Sequence, residues 1–215
     1  MASPTKDFTN TTSNNEYNNQ IIKNKPETEY YLGRNDRNGY TIVEHNSRRP
    51  PYEGCCVFGI CDYWISDGDG TPMKYDDTYV EIEEDVRKHA MRMFRDVERK
   101  LVLIGNESST PIEGNVKVGN YLYSRGEYYH VISLHQGHEL FESFYCDKYD
   151  LDFDPNPFSL EELGTTLEEL MEDSLLISKE TYETALQTAR IGITQITEYL
   201  SDQYIRHKGI ESTNL

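Results

Sequence analysis

Two long segments of the chain place apolar side chains three and four residues apart. In the first segment these side chains are Ile82, Val86, Ala90, Met93, Val97 and Leu101. Such spacing puts them on one face of a helix. Acidic residues open the segment and basic residues close it, as the helix dipole favours. The pattern predicts a central amphipathic helix over about residues 78–104, ended by Gly105.

The second segment lies near the C-terminus. Its apolar positions are Tyr182, Leu186, Ala189, Ile193, Ile196, Leu200 and Tyr204. They predict a long helix that Gly209 ends as a C-cap. Ahead of it, Ser159 and Glu162 have the spacing of a capping box, which predicts another helix start. Residues 159–209 are therefore predicted to form a helical hairpin packed on the core, followed by a tail at 210–215.

Between these segments the apolar pattern becomes that of strands. The runs VKVGNYLY, EYYHVISL and ELFESFYC are separated by the turn sequences SRG and HQGH. They predict an antiparallel meander over about residues 116–146. YTIV is a further strand candidate, and the run Cys55–Ile65 is predicted to be a buried strand interrupted at Gly59.

The first 29 residues are rich in Asn and Thr and lack a hydrophobic period, which predicts an extended polar arm. Residues 30–158 then form the core. The predicted fold class is α+β: a small antiparallel, meander-like sheet with one central amphipathic helix and a C-terminal helical pair, preceded by the extended N-terminal arm.

The charge balance limits the classes of partner. The chain has 21 Lys and Arg against 38 Asp and Glu, a formal net charge of −17. A field of this sign repels nucleic acid phosphates and anionic membranes, so direct nucleic-acid or membrane binding is disfavoured. No secretory signal or membrane-spanning run is visible. A cytoplasmic or virion location with free thiols is expected.

One short stretch runs against this charge, because arginine and tyrosine are interleaved between residues 30 and 52. The candidate partner-binding residues are Arg34, Arg37, Arg48, Arg49, Tyr30, Tyr31, Tyr40 and Tyr52. Aromatic and arginine side chains together could stack nucleic acid bases. Arginines could equally pair with the carboxylates of a neighbouring protein chain. Given the global charge, the second interpretation is preferred.

A calcium site is the one cofactor that the sequence suggests. Oxygen ligands stand at the first, third, fifth, seventh and twelfth positions of an EF-hand-like loop. They are Asp150, Asp152, Asp154, Asn156 and Glu161. Pro155 replaces the glycine of the sharp turn, and the preceding segment resembles a strand rather than a helix. The alternative is a strand end that leads into a capped helix.

Other chemistry has weaker support. A zinc site could be assembled from Cys55, Cys56 and Cys61 with His45, or from His135 and His138 with Cys146. Only His135 and His138 have the two-residue spacing of a zinc knuckle, and they flank a predicted turn, so their side chains need not converge. No GxSxG, HExxH or phosphate-binding glycine loop occurs, and no catalytic residue is nominated.

The sequence thus predicts a non-enzymatic structural or interaction subunit of a larger assembly. It would associate with further copies or with neighbouring proteins, which would order its arm. A virus or phage particle component of the head–tail connector or neck type fits this plan by analogy of architecture. The alternative is an acidic inhibitor or immunity-type protein that caps a basic active site or nucleic-acid-binding surface.

Overall fold

The computed structural model describes residues 28–34, 39–46, 54–59, 79–135, 138–149 and 155–213. Within these ranges the chain forms two antiparallel sheets and four helices. The predicted α+β class is therefore confirmed.

The first sheet has four strands. They are β1 (Thr28–Arg34), β2 (Tyr40–Asn46), β3 (Gly54–Gly59) and β4 (Tyr79–Ile82). Their order is β3-β2-β1-β4, and every neighbouring pair is antiparallel. The strand predicted from YTIV is β2, and the described part of the predicted strand at Cys55–Ile65 belongs to β3.

The second sheet has five strands. They are β5 (Tyr121–Ser124), β6 (Glu127–His135), β7 (His138–Phe144), β8 (Asn156–Ser159) and β9 (Leu175–Ile177). Their order is β8-β7-β6-β5-β9, so β5, β6 and β7 form the predicted meander. Arg125 and Gly126 join β5 to β6 with φ of 49° and 98°. Positive φ at both central residues suits the right-handed twist of a two-residue hairpin.

The helices are α1 (Glu84–Ser108), α2 (Leu160–Leu163), α3 (Leu167–Glu172) and α4 (Lys179–Thr213). The two long helices, α1 and α4, pack against each other. The ring centroids of His89 and Tyr199 lie 4.6 Å apart. Farther along α1, a Cβ built on Gly192 would lie 2.2 Å from Cγ2 of Val97. These two contacts show that α1 and α4 run antiparallel.

Two hydrophobic cores hold these elements together. The larger core, core 1, joins the first sheet, α1, α4 and one face of the second sheet. Its fully buried side chains include Leu32, Ile42, Phe58, Leu101, Tyr128 and Leu200. The smaller core, core 2, lies on the opposite face of the second sheet, around Val116, Leu122, Tyr129, Val131, Phe141 and Leu160. The second sheet is therefore buried on both faces, as its dense apolar pattern requires.

The predicted bounds of the central helix are wrong at both ends. The segment Tyr79–Ile82 is strand β4, and α1 begins only at Glu84. Burial alternates along β4, with Val80 and Ile82 inside and Glu81 exposed, which is the period of a strand. Gly105 does not end the helix, which continues to Ser108. A Cβ on Gly105 would lie 2.3 Å from the Tyr123 ring, so this glycine makes room for an aromatic side chain.

The C-terminal helical pair is present in a more divided form than predicted. The capping box of Ser159 and Glu162 exists as predicted, but α2 stops at Gly164 in the left-handed region, with φ of 65°. A second capping box of Thr166 and Glu169 starts α3. Strand β9 then separates α3 from α4, which extends past Gly209 to Thr213. The predicted C-cap at Gly209 is therefore wrong.

Strand β1 was not predicted, and it shortens the polar arm. Thr28 and Glu29 belong to β1 rather than to the predicted arm of residues 1–29. The rest of that segment, residues 1–27, lies outside the described residues, as do residues 60–65 of the predicted strand at Cys55–Ile65. No helix in the described ranges has both the length and the apolarity that crossing a bilayer requires.

Candidate functional site

The predicted partner-binding tyrosines are divided between the core and the surface. Tyr30 and Tyr40 are only 8% and 7% exposed. The Arg87 guanidinium lies 4.9 Å from the ring centroid of Tyr30, and Tyr40 packs on Tyr204 with centroids 6.0 Å apart. The prediction that these two rings contact a partner is therefore corrected: both belong to core 1.

The remaining residues of that set lie at the surface or outside the described residues. Arg34 is exposed at the end of β1, and Tyr31 is half-buried. The Tyr31 hydroxyl donates a hydrogen bond of 2.9 Å to Oε2 of the buried Glu29. The four others, Arg37, Arg48, Arg49 and Tyr52, lie outside the described residues.

The candidate calcium ligands are placed only in part. Asn156 is exposed at the start of β8, where it pairs with Ser143, and Glu161 is exposed in the first turn of α2. The acidic residues Asp150, Asp152 and Asp154 lie outside the described residues. Strand β7 precedes the loop, and strand β8 occupies its seventh to tenth positions, unlike the helix–loop–helix of an EF-hand. Within the described ranges no group of three His, Cys, Asp or Glu side chains could hold a metal ion.

Of the two cysteines whose side chains are described, Cys146 has little thiolate character. Cys56 and Cys146 are free and half-buried. Burial raises the pKa of the Cys146 thiol to about 12, and the carboxylates of Glu98 and Asp147 act in the same direction. Since the thiolate is both the nucleophile and the metal ligand, Cys146 is inert in either role near neutral pH. Of the other zinc candidates, the side chains of Cys55, Cys61, His45 and His138 lie outside the described residues.

The sequence did not single out a cluster of titratable side chains that the second sheet assembles. Tyr121, His130 and Glu142 are cross-strand neighbours on β5, β6 and β7. The rings of Tyr121 and His130 are stacked with centroids 4.5 Å apart. Nδ1 of His130 lies 3.2 Å from Oε2 of Glu142, which is within hydrogen-bonding distance.

Tyr182 of α4 covers this cluster. Its hydroxyl is buried and has no hydrogen-bond partner among the described residues, and its ring lies 4.9 Å from that of Tyr121. Burial and the nearby Glu142 carboxylate raise the pKa of Tyr182. The hydroxyl therefore stays protonated at physiological pH, and it cannot act as a base.

A groove of about 430 Å³ runs along the outside of the contact between α1 and α4. From α1 it is lined by Met93, Asp96, Val97 and Lys100, and from α4 by Thr188, Ile191, Gly192 and Gln195. On both helices the lining residues are spaced three and four apart, so each helix contributes one stripe. The floor is the close contact of Val97 and Gly192. Ile191 rises at the wall with 49% of its surface exposed.

A second surface is strongly acidic. Along α2 and α3 the exposed side chains include Glu161, Glu162, Glu168, Glu169, Glu172 and Asp173. No Lys or Arg occurs between Lys148 and Lys179 in the sequence. Arg125, in the β5–β6 turn, pairs with Asp173 at 2.7 Å. The charged side chains named on α2 and α3 are all carboxylates.

Sequence reasoning did not predict the groove, although one signal pointed to it. Ile191 falls outside the apolar stripe that predicted the buried face of α4. Comparisons with protein-family models, with curated proteins and with solved structures found no match for this chain. None of the three comparisons therefore indicates a catalytic activity.

Proposed function

We propose that the protein is a non-enzymatic structural subunit of a larger protein assembly and that it associates with further copies of itself. The carrying observation is the groove between α1 and α4. Core 1 already buries the inner stripes of both helices. Ile191 at the groove wall nevertheless has 49% of its surface exposed, and Leu103, beyond the groove lining on α1, has 55% exposed. Large apolar side chains grouped beside a groove are typical of protein–protein contacts.

The chemistry of the described side chains supports a non-enzymatic role. Burial keeps the Cys146 thiol neutral and the Tyr182 hydroxyl protonated, because it raises the pKa of both groups. The His130–Glu142 pair is packed against Tyr121. Polar side chains in this arrangement stabilise the sheet through cross-strand contacts.

The proposal includes the type of assembly. A compact α+β unit preceded by a polar Asn- and Thr-rich segment is a plan found in virus and phage particle components, including head–tail connectors and necks. In this proposal, residues 1–27 dock on neighbouring subunits. Arg34, with Arg37, Arg48, Arg49 and Tyr52, meets acidic surfaces of those neighbours, since opposite charges steer association.

The molar mass of the purified full chain, measured by light scattering over a range of concentrations, tests the proposal. We expect a mass above that of the 25.0 kDa monomer. A variant lacking residues 1–27 should form smaller assemblies. The deletion stops there because Thr28 begins β1, so the fold remains intact as judged by circular dichroism. A full chain that stays monomeric at every concentration would contradict the proposal.

The acidic surface of α2 and α3 favours a second candidate function, the acidic inhibitor. The exposed carboxylates of α2 and α3 would bind a basic active site or nucleic-acid-binding surface of another protein by charge attraction. A variant with Glu161, Glu168 and Glu172 changed to Gln removes three charges and spares both capping boxes. For an inhibitor, the chain is a monomer that captures a basic protein from its native source, and the triple variant loses that capture. Capture that survives the triple substitution would contradict this function.

A further inference from the structure

The antiparallel register of α1 and α4 fixes which residues lie at the same level across the groove. Val97 is level with Gly192, and His89 is level with Tyr199. Because the helices run in opposite directions, the next position on α1, residue 98, is level with Ile191. Ile191 also lies at the middle of the stretch of α4 that lines the groove, between Thr188 and Gln195.

The two charged residues that line the groove from α1 are placed symmetrically about this level. Asp96 lies two positions before residue 98 and Lys100 lies two positions after it. Both side chains are exposed and line the groove. Asp96 also forms an exposed ion pair of 3.6 Å with Arg99, which is of a kind that contributes little stability and leaves the carboxylate available.

Apolar side chains show the same symmetry. Met93 lies five positions before residue 98 and Leu103 lies five positions after it. Leu103 follows Asp96 by seven residues, so it shares the outer stripe of α1. Near Ile191, the groove wall of α4 carries the neutral side chains of Thr188 and Gln195. Because Thr188 and Gln195 carry no charge, they would not repel the same residues of a second α4 packed against the first.

We propose that this groove binds a second copy of the chain, related by a two-fold axis that crosses α1 and α4 at the level of Ile191. The two Ile191 side chains meet on the axis. Asp96 of each copy faces Lys100 of the other, and Met93 faces Leu103. This is the isologous arrangement of two-fold dimers, in which residue i contacts j and j contacts i. The inference rests on the proposed function, because it names the partner of the same surface.

The apolar and charged contacts have different roles in this dimer. Burial of Ile191 and Leu103 provides the favourable free energy of association. The Asp96–Lys100 pairs set the register and the antiparallel direction, since a shift or reversal would bring like charges together. The net charge of −17 opposes association of two copies. Salt screens this repulsion beyond about 10 Å at 0.1 M, so the dimer is best examined near physiological ionic strength.

Charge reversal at the two positions gives a test that needs no further partner. Positions 96 and 100 of the two copies make four facing positions. In a dimer of the Asp96→Lys variant all four are lysines, and in a dimer of the Lys100→Asp variant all four are aspartates. Each variant alone should dimerise roughly tenfold or more weakly than the original chain. An equimolar mixture of the two should recover dimers, because each lysine then faces an aspartate. Sedimentation velocity of the full-length chains measures all three samples.

An apolar variant and its control complete the experiment. Ile191→Asp should also weaken dimerisation, since it places two carboxylates on the axis. Ile205→Asp should leave it unchanged, because Ile205 is 66% exposed on the same helix but lies beyond the groove. Circular dichroism melts confirm that each variant is folded.

Different results would contradict the proposed self-association and the proposed two-fold contact at the groove. If the original chain self-associates and both charge variants do so equally well, the groove is not the contact and this inference is overturned, while the proposed function stands. If the original chain is monomeric at every concentration, both are overturned. Recovery of dimers only in the mixture supports the two-fold contact.

Discussion

The two faces of the second sheet are covered by very different helices. On the face toward core 1 lie α1 and α4, with 25 and 35 residues. Over core 2 lie α2 and α3, with 4 and 6 residues. A helix of four to six residues is not stable by itself, because its nucleation cost is shared among too few hydrogen bonds. The two faces therefore need different means of holding their helices in place.

Capping makes the difference. Both short helices begin with complete capping boxes, Ser159 with Glu162 and Thr166 with Glu169. By contrast, Glu83 at the start of α1 makes no side-chain capping hydrogen bond. The long helix is positioned by its buried stripe and by tyrosine hydroxyls. That of Tyr128 donates to the Leu101 carbonyl at 2.5 Å. Helix α1 is therefore positioned by packing, whereas the short helices combine packing on core 2 with complete capping boxes.

The largest expected effect tests whether both faces are true cores. Phe144→Ala in core 1 and Phe141→Ala in core 2 should each lower the free energy of unfolding by about 3–5 kcal/mol, because both rings are almost fully buried. Urea unfolding measures this. Val118→Ala, at a side chain that is 60% exposed, should change it by less than about 0.5 kcal/mol. A loss for Phe141→Ala as small as that of Val118→Ala would show that core 2 adds nothing to global stability.

The next effect concerns the contact of the long helices. Gly192→Ala places a methyl group 2.2 Å from Cγ2 of Val97 and should cost about 1–3 kcal/mol by overpacking. Combining it with Val97→Ala should cost less than the sum of the single losses, because the added methyl then fills the vacated space. Gly209→Ala is the matched control. In the part of the chain that the structure describes, no atom lies within 4 Å of its Cβ position, so helix propensity alone should stabilise the chain. A stabilising Gly192→Ala would contradict the close contact.

The tyrosines predict a dependence on alkaline pH that is stronger on the side of core 1. Burial raises the pKa of Tyr128 and Tyr182 there, and of Tyr129 in core 2. The unfolded chain loses these protons near pH 10 while the folded chain keeps them, so stability present below that pH is lost as pH rises. The slope should approach about 1.4 kcal/mol per pH unit for each such tyrosine.

Urea unfolding at about pH 9 to 11 measures this slope. Tyr128→Phe should make it shallower, and so should Tyr182→Phe. An unfolding free energy that stays constant over this range would contradict the burial of the three hydroxyls.

The smallest effect tests the role of the caps. Ser159→Ala and Thr166→Ala should each cost about 1 kcal/mol, and amide exchange should accelerate throughout α2 or α3. In α4, the Ser178 hydroxyl accepts from the Thr181 amide at 3.0 Å. Ser178→Ala should cost a similar amount but accelerate exchange only in the first turn, because the rest of α4 is held by packing. If amide exchange accelerates along the whole of α4 in Ser178→Ala, as it does along α2 or α3 in the other two variants, the distinction between the two faces is contradicted.

The parts of the fold that local signals control were predictable. The stripe of α4, the turns of the meander and the capping box at Ser159 all lie within a few residues of the features they determine. The start of α1 was not predictable in this way. Ile82 has the helical spacing of Val86 and Ala90, but together with Val80 it also fits strand alternation, and only pairing of β4 with β1 decides between the two.

The predictions made from one glycine and two tyrosines were wrong for a related reason. Gly105 has the local signature of a helix end, yet its missing side chain accommodates the ring of Tyr123 from a distant strand. Tyr30 and Tyr40 beside arginines resembled a contact surface, although both rings are buried. Tyrosine has an apolar body and a polar tip, so its type alone does not tell core from surface. The groove depends on the pairing of α1 with α4, which no local pattern encodes.

The order of pairing along the chain has a consequence for folding kinetics. Strands β5, β6 and β7 follow one another and pair through short connections. Strand β1, by contrast, must close its second edge with β4, which is separated from it by β2, β3 and a long connection. Loop closure makes distant pairing slow. The meander should therefore form early and serve as a template, and completion of the first sheet should limit the rate at which the native chain appears.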